Sequence, residues 1–254
     1  MPLSAATGVI ALPLCILVGL PRPEAYPFIA ASFLIHIAYY VALVGAYQHG
    51  ELGLTYPIMR GFAPLLVALA SGTFIGESPS FAAWLGVIGI TLGVSLVGLA
   101  HPGEALHHRK ALCFAFANAG IIAVYTVVDG LGVRAAGDAL RYALLLFVLD
   151  ALPFALMLWW WRGRGGRTGR PALAAYVRRR WPVAFVGGAA SFGSYAVALW
   201  AMGRAPVASV AALRETSVLF AAMFGTWMLK EKFGLQRALG TVVIVAGVIA
   251  LRVG

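Results

Sequence analysis

The chain has 254 residues, of which 61% are hydrophobic and 11% charged. An ordinary soluble domain carries about 45–50% apolar and about 25% charged residues, so a water-soluble globule, a disordered chain, a coiled coil and a disulfide-knit secreted domain are all excluded. The net charge of +10 does not point to a nucleic-acid partner, because the basic residues gather beside apolar spans as topology signals do and no stacking-plus-basic module accompanies them.

Nine apolar runs follow one another, and the pattern predicts an all-α polytopic membrane bundle of about nine transmembrane helices. In chain order they are Ser4–Leu20, Tyr26–Tyr47, Leu54–Ile75, Phe81–Ala100, Ala111–Leu131, Leu140–Trp161, Pro182–Met202, Val207–Leu229 and Ala238–Leu251. Met1 to Thr7 carry no Lys or Arg and no small-residue cleavage site follows, so the first run is expected to stay as a helix rather than be removed as a signal peptide. Most breaks are short and rich in Gly or Pro, such as Pro21–Ala25 and Gly76–Ser80. The break Arg162–Trp181 is long and holds seven Arg, and Trp159, Trp160, Trp161 and Trp181 bracket it as an interfacial aromatic belt. Cys15 and Cys113 sit inside apolar runs and read as small core residues.

An internal repeat organises the runs. A shift of 154 residues superimposes Arg60 on Arg214, Glu77 on Glu231, Gly86 on Gly240 and Gly93 on Gly247, without a gap. Residues 111–252 hold five runs and residues 1–100 only four. The first copy is therefore expected to lack its opening helix, either because translation starts upstream of Met1, which we favour, or because this is a nine-helix variant. A five-helix unit crosses the membrane an odd number of times, so the second copy enters from the opposite face. That is the inverted-repeat plan of secondary transporters, with the substrate site near midplane.

The residues that carry a family resemblance are Phe74-Ile75-Gly76-Glu77-Ser78 ahead of Gly86 and Gly93, and Met228-Leu229-Lys230-Glu231-Lys232 ahead of Gly240 and Gly247. The chain resembles the drug/metabolite transporter superfamily in its EamA-like branch, built from two inverted five-helix repeats. The resemblance covers nearly the whole chain. It implies residues 1–100 as the first repeat, with its cavity-lining opening helix missing, and residues 111–252 as the second. The stretch Tyr56-Pro57-Ile58-Met59-Arg60-Gly61 is similar to that of branch members linked to phosphonate use. The acids Glu77 and Glu231 stand at helix–turn–helix junctions, where the dipole of the next helix favours a carboxylate and a structural role is expected. Gly86, Gly89, Gly93, Gly240 and Gly247 are expected to permit close helix packing.

Charged groups inside a span cost about 2.5–3.5 kcal/mol on insertion scales and are functional candidates by default. Arg60 lies about 9 Å into its helix at 1.5 Å per residue. Arg214 lies at a similar depth from the opposite face, so the two are candidate anchors for a carboxylate or phosphonate-like group, or structural ties to an acid or a free carbonyl. Pro57 and Pro64 flank Arg60 and each removes a helix hydrogen bond. Tyr56 shares the face of Arg60. His36, Tyr39, Tyr125 and Tyr195 complete the candidate substrate set as cavity wall or as aromatic core. Asp150 and Glu215 are candidate proton carriers, and equally candidate partners of the arginines. Asp129 reads as interfacial, near a helix end.

No P-loop, nucleophile constellation or metal set appears, and His107-His108 is a weak pair without further ligands. We therefore expect no enzyme activity and no cofactor. The expected function is secondary active export of a small polar metabolite by alternating access, with proton coupling open. The partners are a small-molecule substrate and the lipid bilayer, and the Ala-, Gly- and Arg-rich usage suggests a bacterial inner membrane. Two alternatives are a small-multidrug-type exporter of lipophilic cations and a non-transporting membrane subunit whose Arg/Trp segment meets anionic lipid headgroups.

Overall fold

The computed structural model describes residues 2–50, 52–98, 109–163, 169–220, 223 and 234–253. These residues hold nine α-helices and no strand. We number them α1 (Pro2–Val18), α2 (Tyr26–His49), α3 (Leu52–Phe74), α4 (Phe81–Gly98), α5 (Arg109–Ala136), α6 (Ala139–Gly163), α7 (Gly169–Met202), α8 (Val207–Arg214) and α9 (Leu235–Val253). Among the described residues five segments are long and apolar enough to cross a membrane: Pro23–His49, Thr55–Phe74, Arg109–Ala136, Trp181–Met202 and Leu235–Val253. Thr7–Val18 and Phe81–Val97 are shorter apolar helices. Large side chains such as Ile16, Leu17, Phe81 and Val253 are mostly exposed, which lipid tolerates and water would not.

The helices follow the apolar runs with two departures. The arginine-rich break Arg162–Trp181 becomes helix from Gly169 onward and continues unbroken to Met202. Its Ala, Leu and Arg are strong helix formers, and charge alone does not stop a helix. The run expected over Val207–Leu229 is interrupted within its first third. α8 ends at Arg214, and the amides of Glu215, Thr216, Val218 and Leu219 each bond to the carbonyl three residues back. Glu231 with the rest of the Met228–Lys232 motif, and His107 and His108, lie outside the described residues. So do the side chains of Trp159, Trp160 and Trp161 and of the arginines Arg162 to Arg180; Trp181 is exposed, edge-on to Phe185.

The chain divides into two compact units. Unit 1 comprises Met1–Phe33 and Asp129–Gly203, and unit 2 comprises Leu34–Val128 and Arg204–Gly254. In unit 1, α1 packs on α6 and α7, which pack on each other. Its core joins Ala11, Cys15 and Leu144 to Phe147, Val148 and Phe192. Gly8 opposes Ala151 with no room for a side chain, which brings α1 tight against α6. Cys15 is thus a core residue, whereas Cys113 is exposed. An apolar neighbourhood in sequence marks membrane depth, not the inward face of a helix.

In unit 2, α4 contacts α3, α8 and α9. The core gathers Ala68, Val87, Ile90, Val94, Ala208, Ala212, Val218 and Ile244. Gly86, Gly89 and Gly93 of α4 lie against Gly240, Val243 and Gly247 of α9, as the glycine spacing leads one to expect. The pairing runs antiparallel, and Gln236 at the start of α9 donates to the Leu96 carbonyl near the end of α4 at 2.9 Å.

Candidate functional site

Unit 2 brings together most of the polar residues that the sequence places at membrane depth. Arg60 stands on α3, eight residues past its start, between two prolines that leave the helix continuous. Its Nε lies 3.0 Å from Oε2 of Glu215. The contact is a charge pair without hydrogen-bond alignment, since neither atom has a hydrogen-bond partner. The Glu215 side chain is 5% exposed and that of Arg60 22%. Burying either charge alone would be costly, and each compensates the other.

Glu215 sits where it does because α8 stops there. A carboxylate just past the C-terminal end of a helix meets the negative end of the dipole, so this position suits it only with cations close by. Arg60 is one. Arg214, the last residue of α8 and half-buried, lies within electrostatic reach of the same carboxylate. Among the described residues two guanidiniums thus stand near one carboxylate.

Aromatic side chains surround Arg60. Tyr39, Tyr56 and Tyr125 all lie within electrostatic reach of its guanidinium. The His36 ring lies on Tyr125 at 4.5 Å and edge-on to Tyr39 at 6.4 Å, and Tyr39 meets Tyr125 edge-on at 5.9 Å. Tyr39 also contacts Tyr40 edge-on at 5.1 Å. Tyr56 is 39% exposed and Tyr125 5%, so the wall has an accessible side and a packed side. The sequence set His36, Tyr39, Tyr56, Arg60, Tyr125, Arg214 and Glu215 therefore falls within one unit.

Sequence reasoning missed Asn118. It is fully buried on α5, two helical turns from Tyr125 and on the same face, and its Nδ2 donates to the sulfur of Met59, the neighbour of Arg60, at 2.9 Å. A lone Asn in an apolar run carried no spacing that could have flagged it.

Tyr195 and Asp150 belong to unit 1. The Tyr195 hydroxyl donates to Oδ2 of Asp129, and the Tyr142 hydroxyl donates to Oδ1 at 2.8 Å. Asp129 is 0% exposed, enclosed by protein rather than presented at a helix end. α5 runs five residues beyond the apolar run, to Ala136, and carries Asp129 well inside the helix. Asp150 is half-buried and within electrostatic reach of Asp129.

Glu77 acts structurally, but on a different helix from the one its position suggests. Its Oε2 accepts the Val207 amide at 2.9 Å, at the first turn of α8, while the Ser80 hydroxyl caps α4 by accepting the Ala83 amide at 3.1 Å. Among the described residues no group of three or more His, Cys, Asp or Glu could hold a metal ion.

Comparison with known proteins adds the family. No curated protein sequence matches. Twenty-six chains of solved structures match the fold. One of them, the crystal structure of a protein 17% identical to this chain, gives a TM-score of 0.71 over 99% of this chain and 88% of its own. At that identity the likeness concerns the fold alone. The sequence profile of the EamA-like transporter family matches residues 109–253. That match spans more than half of the chain, on a bundle of apolar helices with an ion pair buried among them, and the chain belongs to the EamA-like transporter family, integral membrane proteins of the drug/metabolite transporter kind.

Proposed function

We propose that the protein is a secondary active transporter that exports a small polar metabolite bearing one acidic group, by alternating access across a bacterial inner membrane. The observation that carries this reading is the Arg60–Glu215 pair. It is a buried charge pair at a helix break, walled by Tyr39, Tyr56 and Tyr125, with Arg214 adding a second positive charge. Broken helices that present charge inside a bundle are how transporters build substrate sites.

Among the described residues the group holds two guanidiniums and one carboxylate, which favours a small anion such as a carboxylate or phosphonate. An incoming anion competes with Glu215 for Arg60, which makes Glu215 a gate whose displacement reports occupancy. Lipophilic cations meet two guanidiniums and are disfavoured. The duplication into residues 1–100 and 111–252 supplies two inverted halves whose exchange of roles would open the site to either side.

The test is uptake by proteoliposomes offered labelled small carboxylates, phosphonates and amines in parallel. We expect flux for an acid, with Arg60→Ala and Arg214→Ala each lowering it at least tenfold. Unchanged flux in Arg60→Ala would remove the anchor role, and flux for amines alone would overturn the substrate class.

A further inference from the structure

The wall around Arg60 has a part that anchoring an acidic group leaves unused. α2 ends at His49 and α3 begins at Leu52, so the two helices form a hairpin. Its return is tight, and a side chain at Gly50 would meet Thr55 at 3.1 Å. Tyr47 stands just before the end of α2 and Tyr56 one turn after the start of α3, which puts both at the closed end of the hairpin. Tyr47 lies within electrostatic reach of both Tyr56 and Arg60.

These two rings differ from the rest of the wall. Tyr39, Tyr40, Tyr125 and His36 pack on one another. Tyr47 is 40% exposed and Tyr56 39%, and among the described residues neither makes a ring contact or a hydrogen bond. Tyr40 lies two turns from Tyr47 on the same stripe of α2, so the packed aromatic cluster continues into two rings whose faces are open. The Arg60 side chain beside them is itself 22% exposed, so the guanidinium can be reached from that side.

Open tyrosines near helix ends have two ordinary uses. One is to anchor a helix in the membrane interface, with the ring at headgroup level. An anchor turns away from the bundle, whereas Tyr47 and Tyr56 come from the two arms of one hairpin and share a guanidinium. The other is to hold a cation against the ring faces, which Arg60 and Arg214 oppose here by repulsion. A planar ring meets neither objection. Aromatic faces receive another ring edge-on or offset, with a gain beyond that of burial alone. Tyr56 and Arg60 share a face of α3 one turn apart, about 5.4 Å along the axis. A ring joined to its acidic group directly or through one carbon suits that separation. We propose that the substrate is an aromatic acid whose ring enters between Tyr47 and Tyr56 while its acidic group meets Arg60. The proposal rests on the transporter reading above and names its substrate class.

The test is equilibrium dialysis of labelled phenylphosphonate against the full chain in detergent, repeated with labelled cyclohexylphosphonate. The probes match in charge and nearly in volume and differ in the π system of the ring. Phenylphosphonate should bind about three- to tenfold more tightly. Tyr47→Leu and Tyr56→Leu should each remove most of that preference, whereas Tyr47→Phe and Tyr56→Phe should retain it because they keep the rings. If a Leu variant fails to fold, Tyr47→Met or Tyr56→Met takes its place with the same expectation. No saturable binding of phenylphosphonate, equal affinity for the two probes, or a preference that survives in the double variant Tyr47→Leu with Tyr56→Leu would each overturn the proposal. Leu variants that lose only thermal stability in bilayers and keep the preference would overturn it in favour of membrane anchoring. Uptake of the two probes by proteoliposomes separates this proposal from the reading on which it rests. Preferential binding without uptake would remove the transporter reading and leave the aromatic site. Uptake of small acids without preference for the aromatic one would do the reverse.

Discussion

A methyl group at Gly93 would stand 2.8 Å from the carbonyl oxygen of Gly240, and a methyl group at Gly240 would stand 2.8 Å from the carbonyl oxygen of Gly93. The reciprocity extends along the helices: Gly86 meets the Gly247 carbonyl at 2.8 Å and Gly247 meets that of Gly86 at 2.9 Å. Under the 154-residue shift Gly86 becomes Gly240 and Gly93 becomes Gly247, so one contact maps onto the other. Two contacts that exchange under the repeat shift are the mark of a two-fold relation, and here the helices so related are antiparallel. The packing supports the inverted duplication that we propose. It also yields a graded series. Gly93→Ala must push backbone from backbone and should cost about 1–3 kcal/mol, as overpacking does. Gly89→Ala, facing the Gly247 Cα at 3.3 Å, should cost less. Gly120→Ala, with nothing within 4 Å, should be neutral or slightly stabilising through helix propensity. Thermal midpoints in detergent check the order, and equal losses at all three positions would remove the zipper's special role.

The extent of each helix was largely legible in the sequence because hydrocarbon thickness and apolar composition decide it. Phe81 begins both the apolar run and α4, and Tyr26 begins both the second run and α2. What was not legible is pairing. Arg60 and Arg214 occupy matching positions in the repeat, yet the acid at Arg60 is Glu215, which has no acidic counterpart at Gly61. Repeat arithmetic relates equivalent residues, whereas an ion pair depends on which helix faces which. Asp129 was placed near a helix end because the apolar run stops at Leu131. α5 continues past that run to Ala136, and Arg134 near its end donates to the Met202 carbonyl.

Breaking the Arg60–Glu215 pair should cost more than deleting it. Arg60→Met leaves the carboxylate buried with Arg214 as its remaining cation, and losses of about 3–5 kcal/mol are typical when one member of a buried pair is removed. The double variant Arg60→Met with Glu215→Met removes both charges and should recover most of that stability while remaining inactive in flux. A double-mutant cycle on the thermal midpoint, run beside proteoliposome uptake, separates the two effects. Full flux in the stable double variant would show that the pair is scaffold and not site.

Glu77 connects the end of α3 to the start of α8. A carboxylate on a helix's first amides satisfies an orphan donor and complements the dipole, an effect of about 0.5–2 kcal/mol. Glu77→Gln keeps an acceptor and should lose only the charge component, while Glu77→Ala loses both. Ser80→Ala, which uncaps α4 instead, should cost a similar amount in stability. It should leave flux per folded molecule unchanged, because α4 carries none of the proposed anchors. The Glu77 variants should lower flux as well, since α8 ends at Arg214 and Glu215. Ser80→Ala and Glu77→Ala with identical flux at matched folded fraction would show that α8 needs no such anchoring.

Tyr125 combines two roles that one substitution can separate. Its ring is 5% exposed and packs on His36 and Tyr39, while its hydroxyl lies in the electrostatic field of Arg60. Tyr125→Phe preserves the ring contacts, so the thermal midpoint should stay close to that of the wild type. If the hydroxyl helps to receive the acidic group, apparent KM should rise several-fold with little change in kcat, the signature of lost uniform binding. Tyr125→Ala should instead cost about 3–5 kcal/mol, as deletion of a buried aromatic ring does. A Phe variant with wild-type KM and an Ala variant that is merely unstable would place Tyr125 in the packed wall and leave recognition to Arg60, Arg214 and Tyr56.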